Sequence, residues 1–284
     1  MSTRPARRRA TARHYLMCRP TYFDVSYAIN PWMSPGKPTD PALAIRQWEQ
    51  LRSLYQWYGH TVDLIEPAPG LPDMVFSANG ATVVDDRVLV ARFRHEQRGQ
   101  EADHYRRWFT DHGYPEVHSA EYFNEAEGDC AVVGDTVLAA TGFRTDFRAH
   151  AELARVLGRQ VHSLSLIDPR FYHLDTALTA LSDTEVMYYP GAFSEDSVAK
   201  LRTLYPDAIL ADEQDALVFG LNAVSDGLRV FLPKAAEALA KQLRDRGFEP
   251  VGVELSELLK AGGSVKCCTL EIRHPDRTPA LVTG

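Results

Sequence analysis

Four hairpin signals recur along the chain at a spacing of roughly 45 residues, within the range where internal repeats dictate architecture. They lie in Ala81–Arg94, Asp129–Arg144, Thr176–Tyr189 and Asn222–Pro233. Each joins two strand-like runs through turn chemistry: Asp85-Asp86, Gly134-Asp135, Ser182-Asp183 and Asp226-Gly227. A fifth is split between the chain ends, with Cys267–Arg273 as one strand and His14–Arg19 as the other. Apolar residues at helical spacing follow, over Pro41–Tyr58, Gly99–Asp111, Phe147–Leu157, Ser194–Leu204 and Lys234–Arg246. Gly59, Gly113, Gly158 and Gly247 stop four of these helices, and Pro206 follows the other. Each leads into one more apolar strand: Val62–Ile65, Glu116–Ser119, Val161–Ile167, Ala208–Leu210 and Val251–Leu255.

The unit is therefore strand, strand, helix, strand. Five such units can close into a ring, which leaves no exposed sheet edge to pair with a neighbour. This predicts a single α/β domain over 14–284 with five pseudo-equivalent blades. A doubly wound open sheet is the rival, and it is weaker because the hairpin turns demand antiparallel pairing. A hydrophobic share of 45% in 284 residues supplies a core of that size. The net charge of −7 argues against nucleic acid as a partner. No stretch is long and apolar enough to span a membrane. Cys18, Cys130, Cys267 and Cys268 contain no CxxC pair, so neither a zinc site nor a disulfide scaffold is expected, and a reducing cytoplasmic setting follows. The basic run from Arg4 to Arg13 lacks an apolar segment after it, so residues 1–13 read as a disordered leader rather than a secretory signal. Oligomeric state, a homo-oligomer included, is left open.

The reactive side chains sit at matching places in the repeat. Asn79 precedes the first hairpin. Glu125, Glu127 and Asp129 precede the second, and His173 and Asp175 the third. Cys267, after Gly262-Gly263, holds that place in the last unit. Each has an ordinary reading: a packed thiol, a hydrogen-bonded histidine, solvated acidic turns, an Asn-Gly turn. At one repeat position, however, they would converge on the axis of a ring. A thiol, an imidazole and carboxylates together suggest a nucleophile, a general acid/base and groups that grip a planar cation, hence chemistry at a guanidinium carbon.

At this point the chain resembles the guanidine-modifying enzymes, whose fold is called pentein and which include arginine deiminases, dimethylarginine dimethylaminohydrolases and amidinotransferases. The matching pieces are Gly-Gly-Ser-Val-Lys-Cys267, Phe-Tyr-His173-Leu-Asp175-Thr, Glu125-Ala-Glu127-Gly-Asp129, Pro-Asp73-Met-Val-Phe-Ser-Ala-Asn79, and Arg98 and Arg144. The stretch Phe23 to Met33, containing Asn30, is similar to the bacterial arginine dihydrolase branch. The resemblance implies a five-bladed ββαβ propeller with Cys267 as nucleophile and His173 as general acid/base. It places Asp73, Asp175, Asp129 and Asn30 around a small-molecule substrate. Arg98 and Arg144 would hold the substrate's α-carboxylate, with Arg94 as a rival on spacing. Relatives carry a simpler Glu-Gly-Gly-Asp or Glu-Gly-x-Gly-Asp run, so Glu125 and Glu127 both stand as partners of His173, Glu125 being favoured. No metal or cofactor is implied. The Pro-rich loop Asn30–Asp40 would cover the site as a lid.

The implied reaction is attack of Cys267 on the guanidinium carbon, a covalent thiouronium, and hydrolysis to a ureido product. Asn79 stands where deiminases and dimethylargininases place Asp. An amide can hold a neutral ureido group, so the expectation is arginine dihydrolase activity, from arginine to ornithine, ammonia and carbon dioxide. The alternative is dimethylarginine hydrolysis to citrulline and methylamine. Amidinotransfer and a non-catalytic binding module are the remaining readings.

Overall fold

The structure is a computed structural model that describes residues 8–275. Five modules share one construction: two antiparallel strands, a crossing helix, and a third strand parallel to the second. The first runs through β15 (Leu270–Arg273), β1 (His14–Cys18), the helix Pro41–Trp57 and β2 (Thr61–Ile65). The next is β3 (Ala81–Val84), β4 (Arg87–Val90), the helix Glu101–Asp111 and β5 (Glu116–Ser119). Then come β6 (Cys130–Val133), β7 (Thr136–Thr141), Ala149–Leu157 and β8 (Gln160–Ser165). The last two are β9 (Leu178–Ala180), β10 (Val186–Tyr188), Glu195–Leu204 and β11 (Ile209–Leu210), and β12 (Val224–Ser225), β13 (Arg229–Pro233), Glu237–Asp245 and β14 (Glu249–Val253). The split module forms as the sequence predicts, with Tyr15 opposite Glu271 and Leu16 opposite Leu270. Strand β15 also pairs in parallel with β3, joining two modules in one six-stranded sheet.

Local chemistry explains these elements. The Asp40 carboxylate accepts from Leu43 N at 2.9 Å, and Pro41 opens the helix with a φ already suited to it. Ala44, Trp48, Leu51 and Tyr55 then recur on one buried face. Sealing an aromatic of this size from water contributes about 2–3 kcal/mol each. Between β3 and β4, Asp85 and Asp86 both take positive φ, as a two-residue turn matched to strand twist requires. Hydrogen bonds tie each module to the next: Thr82 Oγ1 with Cys130 Sγ, Leu174 N to Asp129 Oδ1, Ser225 Oγ to Leu181 O, and Cys267 N to Asn222 Oδ1.

The structure departs from the sequence reading in three places. The third hairpin has no two-residue turn; residues 181–185 connect its strands, closed by Leu181 N to Glu185 O at 2.8 Å. Cys267 does not begin a strand but lies in a turn that precedes β15, because Cys268 N bonds Ser264 O and Thr269 N bonds Lys266 O. Residues 1–7 of the expected leader lie outside the described residues, but 8–13 are not loose. Arg8 pairs with Glu185 at 2.5 Å and stacks 3.5 Å from the Phe248 ring, Thr11 N bonds Asp226 O, and Arg13 N bonds His60 Nδ1.

Candidate active site

Single turns of tight helix, not plain loops, deliver most of the reactive groups just before β3, β6 and β9. Pro72–Val75 carries Asp73, Ser77–Asn79 ends on Asn79, Ala126–Gly128 carries Glu127, and Leu174–Thr176 carries Asp175. The two glycines before Cys267 serve close packing. Gly262 takes φ +81°, with Asn30 and Tyr172 too near to admit a side chain, and a Cβ on Gly263 would fall 2.2 Å from the Phe76 ring.

The Cys267 thiol is buried and donates to Asp175 Oδ2 at 3.2 Å. Asn222 Nδ2 lies 3.1 Å from the same sulfur. Burial, reinforced by the Asp175 carboxylate, pushes the Cys267 thiol up from its ordinary value. Burial likewise pushes Asp175 up, to about 7, against the opposing pull of Cys267 and Lys266. In the resting site the proton therefore stays on sulfur, and an arriving cation is what would favour the thiolate.

His173 Nε2 meets Glu125 Oε2 at 2.8 Å, and Arg144 Nη1 donates to the same oxygen at 2.7 Å. Burial opposes ionisation of Glu125, but Arg144 and His173 outweigh it and hold the carboxyl well below its usual range. The segment 172–175 connects this half of the site to the thiol half. Its Tyr172 hydroxyl donates to Gly262 O at 2.6 Å, and the Tyr172 ring lies 4.6 Å from His173. Asp129 accepts from Leu174 N at 3.2 Å, and burial raises its carboxyl to about 6.

The other expected residues separate. Glu127 does not adjoin His173. It pairs with Lys266 at 2.6 Å and with Arg273, and it accepts from Glu271 N. The reason is Ala126, whose φ of +51° turns the chain sharply between the two glutamates. Asp73 accepts from Tyr27 Oη at 2.9 Å. Asn79 lies between Arg98 Nη1, which donates to its Oδ1 at 2.8 Å, and Glu125 O, which accepts from its Nδ2 at 3.3 Å. Arg98 and Arg144 are not open anchors for a carboxylate. Arg98 is buried and bound through two nitrogens to Glu101, and Arg144 is shared by Glu125 and Ile29 O. Arg94, the rival on spacing, is exposed beside them and donates through Nε to Arg144 O. Asn30 Nδ2 bonds Ala261 O, Asp40 N bonds Glu257, and Lys260 bonds Pro38 O, so the Pro-rich loop is tied at both ends to residues 257–261.

Four buried polar atoms in this region have no hydrogen-bond partner: His173 Nδ1, Asp73 Oδ1, Asp129 Oδ2 and Asp175 Oδ1. Three are carboxylate oxygens, so what is missing is a donor.

The family model described as N,N dimethylarginine dimethylhydrolase, eukaryotic, matches residues 37–274. The chain belongs to the dimethylarginine dimethylaminohydrolase family. It is 57% identical over 271 residues to N(G),N(G)-dimethylarginine dimethylaminohydrolase of Mycobacterium tuberculosis, covering 95% of this chain and 89% of that protein. It is 38% identical over 269 residues to the bifunctional arginine dihydrolase/ornithine cyclodeaminase AgrE of Nostoc sp., where the match takes in 93% of this chain but 38% of that longer protein. Among solved structures, the N-terminal domain of ArgZ, an arginine dihydrolase from the cyanobacterial ornithine–ammonia cycle, superposes with a TM-score of 0.89 at 36% identity, covering 93% of this chain and 99% of that one. The family is one of hydrolases acting on guanidino C–N bonds, and its mixed α/β fold is the one described above.

For a member of the dimethylarginine dimethylaminohydrolase family, two contributors escape the sequence reading. Asn222 binds Cys267 through both backbone and sulfur. The signal was there, since Asn222 directly precedes the fourth hairpin at the position of Asn79 in the first. Tyr27, which holds Asp73, carries no such signal, because it lies in an irregular segment outside the repeat.

Proposed function

We propose that the chain hydrolyses the guanidinium carbon of a methylated arginine. The observation that carries this reading is the unpartnered, buried carboxylate oxygen of Asp175 beside a protonated thiol, with a second such oxygen on Asp73. A planar cation with N–H groups on its edges satisfies them. Its charge also offsets the burial that holds the proton on Cys267.

The Cys267 thiolate attacks the guanidinium carbon. His173, oriented by its Nε2 contact with Glu125, gives a proton to the departing dimethylamine, leaving a thiouronium on sulfur. His173 then takes a proton from water, which adds to the same carbon. Collapse breaks the C–S bond, the adduct's hydroxyl proton leaving to solvent as the carbonyl forms, which returns the thiolate and releases citrulline. Exposed Arg94 stands at the site as the α-carboxylate anchor, since Arg98 and Arg144 are committed elsewhere. The five modules close into a propeller around these groups, a reading supported by the β15–β1 pairing and the hydrogen bonds between successive modules.

The Mycobacterium tuberculosis relative and the family model favour dimethylarginine over the dihydrolase reading drawn from Asn79. A second reading remains because of that residue. With its Oδ1 held by Arg98, Asn79 can offer only N–H to a ligand, which suits a ureido oxygen and a second hydrolysis to ornithine. Incubation with asymmetric dimethylarginine, arginine and citrulline decides between them. Dimethylamine and citrulline from the first substrate alone support the primary reading; ornithine from arginine and from citrulline supports the second. No product from any of the three overturns both.

A further inference from the structure

Resting on that reading of Cys267 as the nucleophile, we infer that Asn222 is the donor that receives the sulfur's negative charge when the thiol ionises. Its side chain is completely buried, and every polar group on it is assigned. Oδ1 accepts from Cys267 N at 3.1 Å, while Nδ2 donates to Asp175 O at 3.1 Å and approaches Cys267 Sγ at 3.1 Å. A flipped amide would set its oxygen against the Asp175 carbonyl and its NH2 against the Cys267 N–H, so the network fixes the orientation. Asn222 O also accepts from Lys266 N, which anchors the backbone of the same turn.

The chemistry follows from what each neighbour can do. The thiol already donates a hydrogen bond to Asp175 Oδ2, so the sulfur needs no second partner while protonated. Once the proton leaves, the sulfur is an acceptor only, and Asp175 beside it is repulsive. Asn222 Nδ2 is a side-chain N–H within hydrogen-bond reach of that sulfur, where it acts beside the backbone of Ser264, which also favours the ionised form. A donor aimed at charge that appears only on activation stabilises the reactive state over the resting one. Hydrogen bonds to charged groups contribute about 1.5–3 kcal/mol, roughly ten- to a hundredfold in the thiolate population.

The test is the pH–rate profile for alkylation of Cys267 by iodoacetamide in full-length protein without substrate, for wild type, Asn222→Asp and Asn222→Ala. Asn222→Asp keeps the acceptor for Cys267 N and the side-chain shape but removes the donor. Asn222→Ala removes the donor without adding charge. Both are expected to move the profile to higher pH, Asn222→Asp further, with alkylation at neutral pH slowed roughly tenfold or more. Thermal melts check folding, and kcat is expected to fall more than KM rises. Unshifted alkylation profiles in both variants overturn the inference even if turnover drops, because a purely structural role leaves the thiol's ionisation alone. A wild-type Cys267 inert at every pH also overturns it. Shifted profiles in a protein that turns over no guanidino substrate contradict the proposed function and leave Asn222's role standing.

Discussion

The Cys267 sulfur and the Asp175 carboxylate lie 3.2 Å apart with both groups buried, so each disfavours ionisation of the other. Burial raises Asp175 to about 7, whereas an unfolded chain releases that proton near an ordinary value of about 3.9. Between those values the folded state binds the proton that the unfolded state gives up. The contribution of this carboxyl to stability is therefore fully present below about pH 4 and is lost as pH rises through about 7. Asp175→Asn is expected to abolish activity yet raise Tm by a few degrees at pH 8, with little change near pH 4. Melts at the two pH values check this. Because a cation needs the ionised carboxylate, kcat/KM of the wild type is expected to climb with pH up to about 7.

Glu125 and Glu127 are two residues apart and have opposite surroundings, so their variants are expected to fail differently. Glu125→Gln removes the anion that His173 and Arg144 share, and kcat is expected to drop by roughly 10²–10⁴. Glu127→Gln removes the buried charge between Lys266 and Arg273, which keep only Thr269 O and Glu271, and is expected to destabilise the fold by about 3 kcal/mol while kcat at low temperature changes much less. Urea melts beside steady-state rates separate the two.

Gly128 marks how closely the site is packed. A Cβ there would lie 2.1 Å from Asn79 Nδ2 and 3.2 Å from His173 Nδ1. Gly128→Ala is expected to displace both side chains and reduce kcat at least a hundredfold, with native secondary structure by circular dichroism.

Arg8 lies far from the chemistry. Its bidentate contact with Glu185 and its stacking on Phe248 tie residues 8–13 to the body. Arg8→Ala is expected to lower stability by about 1 kcal/mol with kcat unchanged, as measured by urea titration and turnover.

Much of this was legible from the repeat. Hairpin turns such as Asp85-Asp86, the helix start at Pro41, and the placement of His173 and Asp175 before their strand all follow from local chemistry that a sequence displays. What stayed hidden depends on long-range partners. Glu125 and Glu127 could not be told apart because their divergence comes from a left-handed Ala126, a conformation alanine does not announce. Arg98 was placed as a substrate anchor by resemblance, and its buried pairing with Glu101, three residues on, went unread. Residues 8–13 looked disordered because their partners, Glu185, Asp226 and His60, are distant in sequence.

The central claim is that Cys267 bonds to a guanidinium carbon while His173 moves the protons. Acid-quenched intact mass spectrometry during turnover of asymmetric dimethylarginine tests it most directly. The account predicts an adduct on Cys267 with the mass of the substrate less dimethylamine, formed far more slowly in a His173→Ala variant that lacks the acid for the leaving amine, and absent from Cys267→Ser. Turnover with no adduct, retained by Cys267→Ser, would contradict it.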